Sequence, residues 1–348
     1  MEATGYRCLT AAFAYKSMVG NMATIERQVT VVRDGMHNAF TDLQYWQGCY
    51  WVGYRKGTAH VSMDADAVIA VSSDRLRFRE VAHLHVPGDN RDPKLFPIGD
   101  DRMAMHFPSW TRGAGQRDLQ QYITFTTNGS DWDAPIPILD PKLWLWRVRE
   151  HGGRYYGLIQ NLQGDWSDGA PHQLDLAVSD DLMAWKTIAR IGDEAGLNES
   201  DIFWHEDGEA WIVARSAVKP QRSFFCSAGA PYTDWTVSEL EPMVHAPVFL
   251  HHEGELYVAG RCLPPTVGNP VFPWPGASLG LWRVRKGALD PVLHIPASGD
   301  CSYPGLLKDP EGRICLTYYS QHAYIMGIVG YPEATAMPAD VYFAELAL

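Results

Sequence analysis

The sequence predicts an all-β chain folded as a six-bladed β-propeller, and three observations carry that prediction. A turn-like pattern recurs four times at a spacing near fifty residues. Six glycines each precede a short apolar or alternating strand, and helical 3.6-residue periodicity is nearly absent.

Each copy of the turn opens with Ser or Thr, places Asp, Asn or Gly two positions on, and ends on an aromatic residue. The copies are Ser72, Asp74 and Phe78; Thr126, Asn128 and Trp132; Ser179, Asp181 and Trp185; and Ser227, Gly229 and, after a longer loop, Trp235. Their first residues lie 54, 53 and 48 positions apart. Side chains of Ser, Thr, Asp and Asn bond nearby backbone groups and Gly accepts positive φ, so the pattern marks a tight turn with an aromatic folded back beneath it.

The glycines are Gly48, Gly99, Gly153, Gly208, Gly254 and Gly312, and the segments 49–55, 103–106, 154–160, 209–215, 255–261 and 313–319 after them read as strands. One propeller domain over residues 28–348 follows an N-terminal extension over residues 1–27, in which Met22 is an alternative start to Met1.

Composition bounds the function. The 13 Trp, 16 Tyr and 12 Phe supply a large core, and with only 20% charged residues no long like-charge block predicts disorder. A net charge of −12 argues against nucleic acid and anionic membranes, which demand clustered Lys and Arg, but not against a small anion held by a few arginines. The six cysteines include no CxxC pair, so buried free thiols are expected, with no metal site and no cofactor. No apolar run approaches the ~20 residues of a membrane span. Residues 8–14 are apolar but lack the flanks of a signal peptide, which predicts a cytoplasmic location.

A propeller places equivalent positions of successive blades on a ring. Seven residues after the glycines stand Arg55, His106, Gln160, Arg215, Arg261 and Tyr319. Seven to ten residues before them, where each innermost strand begins, stand Asn38, Asp92, Trp144, Glu199, His245 and Tyr303. Two largely polar rings at one end of an apolar scaffold define a candidate site. Three arginines at one offset repel unless an anion compensates them, and two readings follow: a bound anionic ligand, or internal pairing with Glu199 and Asp92.

These residues resemble the sialidases, from about Thr30 to the C-terminus. Asn198-Glu199-Ser200-Asp201, then Gly208, then Arg215 is similar to the sialidase segment in which a catalytic glutamate precedes an arginine by about one hairpin. Arg261 falls where the third arginine of that family's carboxylate-binding triad lies. Asp300-Cys301-Ser302-Tyr303-Pro304 resembles the segment carrying the tyrosine nucleophile. Arg91-Asp92-Pro93 resembles the second-blade motif whose aspartate contacts substrate, and the recurring turn is similar to the family's Asp-box. Two positions depart from the pattern. Met36-His37-Asn38-Ala39-Phe40 stands where the first arginine would be, which leaves His37 and Asn38 to meet the sugar. The first-blade loop after Arg55 offers His60, with Asp64 and Asp66 further on, where the acid/base aspartate would be.

The resemblance implies a carbohydrate substrate and a glycoside hydrolase for an acidic sugar, retaining through Tyr303 with Glu199 as its base. A tyrosine, with an ordinary pKa of about 10, needs such a base. Arg55, Arg215, Arg261, Arg91, Asp92, His37, Asn38 and His245 are the expected substrate contacts. His60 would protonate the leaving oxygen, or else donate a hydrogen bond to substrate or backbone. Trp110, Trp144, Trp166 and Trp204 offer faces for sugar stacking or for core packing. The proline-rich residues 264–276 would wall the pocket or decorate the surface. A sugar-binding propeller without catalysis and a uronate lyase are the competing functions.

Overall fold

Strand pairing in the computed structural model, which describes residues 23–113, 116–162, 172–263, 277–324 and 337–348, resolves the repeat into six antiparallel sheets around one axis. The chain enters through β1 (Thr24–Val32), which waits for the last sheet. Blade I is β2 (His37–Trp46), β3 (Cys49–Gly57), β4 (Asp66–Ser72) and β5 (Arg79–Leu84). Blade II is β6 (Asp89–Asn90) and β7 (Lys94–Ile98), both against β8 (Arg102–Gly113), then β9 (Gln116–Thr126) and β10 (Ile136–Ile138). Blade III is β11 (Leu143–His151), β12 (Arg154–Asn161), β13 (Gln173–Ser179) and β14 (Lys186–Ile191). Blade IV is β15 (Leu197–Trp204), β16 (Ala210–Ser216), β17 (Ser223–Ala228) and β18 (Thr236–Leu240). Blade V is β19 (Met243–His252), β20 (Glu255–Leu263), β21 (Ser278–Arg285) and β22 (Ala288–Ile295). Blade VI is β23 (Cys301–Lys308), β24 (Ile314–Ser320) and β25 (Asp340–Ala347), completed by β1 on its outer edge.

That last pairing, Thr24 opposite Ala347 through Val32 opposite Val341, ties the two chain ends into one sheet and closes the ring. Residues 24–27, expected in the N-terminal extension, therefore belong to the first strand. At the seam between blades VI and I the inner strands approach so closely that a Cβ on Gly305 would lie 2.3 Å from the backbone nitrogen of Leu43. Only glycine fits there.

The recurring turns form as the residue types dictate. Asp74 Oδ1 accepts from the amides of Leu76 and Arg77 at 2.8 and 2.9 Å, and Asp181 Oδ1 does the same for Met183 and Ala184. Asn128 Oδ1 serves Ser130 and Asp131. Each indole then donates back into its turn, Trp132 to Gly129, Trp185 to Leu182 and Trp235 to Tyr232. Ser72 pairs with Tyr50 near the β2–β3 hairpin, whereas Ala39 pairs with Arg55 at the other end of those strands. The turns thus occupy the end of the propeller opposite the polar rings.

Irregularity is concentrated where the inner strands begin. The register slips between Ala39 and Asp42, Leu145 and Arg147, Leu197 and Ser200, His245 and Val248, and Ser302 and Gly305. Blade II breaks altogether between β6 and β7, at Arg91-Asp92-Pro93. Phe40, Asp92, Ala246, Ser302 and Tyr303 take positive φ (59°, 43°, 50°, 81° and 46°), a costly conformation for residues other than glycine. A bulge re-aims the side chain it carries. Here one bulge per blade turns a side chain toward the axis.

Candidate functional site

The bulges present Phe40, Asp92, Trp146, Glu199, Ala246 and Tyr303, one from each blade, and these converge. Tyr303 donates its phenolic hydrogen to Glu199 Oε1 at 2.5 Å. The Tyr303 ring packs on Phe40 (5.1 Å between centroids), Trp146 (5.9 Å) and Tyr319 (6.0 Å). Glu199 also accepts from Arg215 Nη1 at 2.5 Å and, through Oε2, from the amide of Ala246 at 2.9 Å. Blades IV, V and VI therefore meet on one carboxylate.

Burial pushes the Tyr303 hydroxyl far above its ordinary value, and the negative Glu199 adds to that, against Arg261 and Arg215. Tyr303 stands as a neutral phenol whose proton already points at its acceptor. Asp92 shifts in the opposite sense to Asp300 and Asp309, whose carboxyls are held down. Its burial outweighs the nearby Lys94 and Arg91, and its carboxyl is pushed up to about 7. Asp92 Oδ1 is buried with no hydrogen-bond partner, and Oδ2 lies 4.0 Å from Arg91 Nε.

The arginines are matched from within. Arg55 Nε donates to Asp89 Oδ1 at 2.7 Å and Arg91 Nη1 to Asp89 Oδ2 at 2.9 Å, so one carboxylate serves both. Arg91 is sandwiched between the rings of Phe40 (4.5 Å) and Trp110 (4.4 Å). Arg261 donates to the carbonyl of Cys301 at 2.9 Å and to Asp300 Oδ1 at 3.3 Å, and lies 4.7 Å from the centre of the Tyr303 ring. Arg55 and Arg261 both have 0% exposure, whereas Arg215 keeps 9%. Arg55 and Arg261 are thus held by internal ion pairs to Asp89 and Asp300 beneath the pocket surface, while Arg55 Nη1 has no hydrogen-bond partner.

Asp300 is the second hub. Its Oδ2 faces His37 Nε2 at 3.1 Å and His60 Nδ1 at 2.5 Å, while Oδ1 accepts from Tyr319 at 2.7 Å. Burial alone would raise its pKa, but the two histidines more than offset that and hold it well below the ordinary carboxylate range. His60 is pulled down to about 4, chiefly by burial and against the pull of Asp300. An ionised Asp300 accepts from Nδ1–H, and Arg91 Nη2 lies 3.5 Å from Nε2. His60 is consequently neutral near pH 7, which speaks against the first of its two expected roles, protonating the leaving oxygen, and is compatible with the second, a hydrogen bond to substrate or backbone.

Three other expected contacts are displaced. His37 has no exposed surface, Asn38 donates to Asp34 Oδ1 at 2.8 Å, and His245 Nε2 donates to the carbonyl of Gln221 at 2.8 Å. The bulges explain the shift: Phe40 and Ala246, one or two residues on, turn to the axis in their place. His106 pairs with Lys94 and lines a cavity of about 330 Å³ further along the axis with Asp42, Arg147 and Arg149. Trp110 and Trp144 lie beside the site, 5.6 Å apart edge to face, but Trp204 stacks on His151 at the far end of blade IV. Trp166 and residues 264–276 fall outside the described residues. The site residues that sequence reasoning missed are Phe40, Asp89, Trp146 and Asp300. For the bulges a signal existed: proline follows Asp92, Ala246 and Tyr303.

His37, His60 and Asp300 are the grouping among the described residues with metal-ligand spacing, their ligand atoms lying within 4.8 Å of one another. Arg91 and Arg261 sit 3.5 and 3.3 Å from its members. Two guanidinium charges that close oppose a dication, and the cluster is better described as a hydrogen-bonded relay.

No protein-family model matches the chain, and neither does any curated protein. Solved structures do. A protein of unknown function from Dyadobacter fermentans DSM 18053 aligns with a TM-score of 0.75 at 16% identity, over 94% of this chain and 99% of that one. The endosialidase of phage phi92 gives 0.65 at 10% identity, over 92% of this chain and 69% of that one. A Trypanosoma rangeli sialidase in complex with 2,3-difluorosialic acid, a covalent intermediate, gives 0.62 at 12% identity over 90% of this chain, which spans 54% of its length. At such identities the likeness is one of fold. The chain has a six-bladed β-propeller fold similar to that of these sialidase structures.

Proposed function

We propose that this protein is a retaining glycoside hydrolase for a carboxylated sugar, with Tyr303 as nucleophile and Glu199 as its base. The observation that carries the reading is the 2.5 Å hydrogen bond from the Tyr303 hydroxyl to Glu199 Oε1 at the convergence of the blades. As Tyr303 Oη bonds to the anomeric carbon, its proton passes to Glu199. Neutralising Glu199 frees the charge of Arg215, which then faces the sugar. The cation of Arg261 under the Tyr303 ring supports the phenolate when the tyrosine later departs. A neutral nucleophile suits a substrate with a carboxylate near the reacting carbon, because a carboxylate nucleophile would be repelled. Arg215, the most exposed of the three ring arginines at 9%, is the guanidinium best placed to meet that carboxylate, with Arg55 Nη1, which has no hydrogen-bond partner, as a further donor behind it.

The test is a panel of chromogenic sialic acid, uronic acid and neutral glycosides against wild type and Tyr303→Phe. The variant is expected to bind but not turn over, and full activity in it overturns the assignment. A sugar-binding propeller without catalysis is the second reading, favoured by the internally paired arginines; binding without turnover across the panel would establish it. An ultraviolet-absorbing unsaturated product would instead identify a uronate lyase.

A further inference from the structure

A retaining mechanism through Tyr303 needs a second group, which gives a proton to the departing oxygen and takes one from the incoming water. The first-blade loop does not supply it. Asp64 is exposed and, against the effect of burial, its pKa is lowered by hydrogen bonds from Ser62 and Thr58, and Asp66 pairs with His85 at 2.9 Å. His60 is neutral and turned to Asp300.

The remaining acids can be sorted by what they already hold. Asp89 is committed to Arg55 and Arg91, Glu199 to Tyr303, Arg215 and the amide of Ala246, and Asp300 to His37, His60, Tyr319 and Arg261. Asp92 stands apart. It is the carboxyl of the ring with an oxygen that meets no donor and no ion pair tighter than 4.0 Å. The backbone there is strained: the inner strand is interrupted, Asp92 sits at φ 43°, and Pro93 follows it. Strain of that kind persists where surrounding structure holds a side chain in place for use. It feels the charge of Glu199, and Tyr303 in turn feels its own, which sets it on the same pocket.

We infer that Asp92 is the general acid and base of this site, a role that rests on the hydrolase reading above. In the first step the bond from Tyr303 Oη to the anomeric carbon forms while the glycosidic bond breaks; the phenolic proton goes to Glu199 and the carboxyl proton of Asp92 goes to the leaving oxygen. In the second step water bonds to the same carbon, Asp92 takes a proton from that water, and Tyr303 departs and recovers its proton from Glu199. One water is consumed and every group returns to its starting state. The raised pKa of about 7 keeps a fraction of Asp92 protonated near neutrality, as an acid requires.

Asp92→Asn is the test, read against a series of aryl glycosides whose leaving phenols span low to high pKa, with the glycone chosen from the panel above. The variant is expected to keep most of its kcat/KM on nitrophenyl-type leaving groups, to lose at least a hundredfold in kcat/KM on poor ones, to fall in kcat on the good ones because the second step lacks its base, and to lose the alkaline limb of the kcat/KM profile. A kcat/KM lost equally on all leaving groups, or an unchanged kcat/KM profile, overturns the inference. A second reading needs no activity. Because the raised pKa penalises folding above the ordinary carboxylate value, the stability of Asp92→Asn relative to wild type must rise from pH 4 to pH 7. A flat difference overturns the inference, and found beside an inactive Tyr303→Phe it does so while leaving the nucleophile assignment standing.

Discussion

Replacing Asp300 by alanine removes a carboxylate that answers Arg261, Tyr319, His37 and His60 together. Arg261 is fully buried, so its charge would be left without its counterion in a region no water reaches. Breaking a buried ion pair by deleting one partner costs about 3–5 kcal/mol, and the orphaned Tyr319 hydroxyl adds roughly 1–3 kcal/mol. Asp300→Ala is therefore expected to lose about 4 kcal/mol or more, and Arg261→Met a comparable amount. Replacing both removes the isolated charge as well as the pair, so the double variant should cost less than the sum of the singles by about 2 kcal/mol or more. Guanidinium unfolding midpoints at constant m-value measure all three. Additive losses, or single-variant losses under about 1 kcal/mol, would refute the claim that this arginine is held by the fold. An arginine kept for an incoming ligand would instead be removable at little cost.

Two further outcomes follow from the geometry. His60 has its pKa depressed from 6.5 to about 4, so the unfolded chain binds a proton that the folded one refuses. The stability this contributes is full above pH 6.5 and is lost as pH falls toward 4, by about 3 kcal/mol; His60→Gln should flatten that part of a thermal-melt pH profile, and an unchanged slope would contradict it. Gly305→Ala must push its Cβ against the backbone of Leu43 at the closing seam, and overpacking predicts a loss of ~1–3 kcal/mol or more. A variant melting with wild type would show that the seam is looser than this.

The blade repeat and the second-strand ring could be read from sequence because both depend on short-range spacing. A hairpin glycine followed by a seven-residue strand leaves little room for error. The pairings Ala39 to Arg55, His245 to Arg261 and Ser302 to Tyr319 place those +7 residues at one end of their sheets. The inner ring was misjudged by a residue or two in blades I, III and V, since a bulge inserts a residue without changing composition. Phe40 and Ala246 look like core residues by type; only the positive φ turns them to the axis.

The electrostatic state of the arginines was less legible, and the reason is distance along the chain. Arg55 finds Asp89 34 positions away, Arg261 finds Asp300 39 away, and His60 finds Asp300 240 away. No local pattern announces such pairs, so a row of arginines at one offset reads equally as a ligand clamp and as a structural network. Coordinates separate the two by asking which charges are answered. Arg55, Arg91 and Arg261 are, and each answering carboxylate is thereby withdrawn from proton transfer. What that accounting leaves is small: a phenol hydrogen-bonded to a glutamate, one arginine on the same oxygen, and Asp92, whose strained backbone holds an unanswered carboxyl among them. The chemistry of the site follows from what its ion pairs leave unpaired.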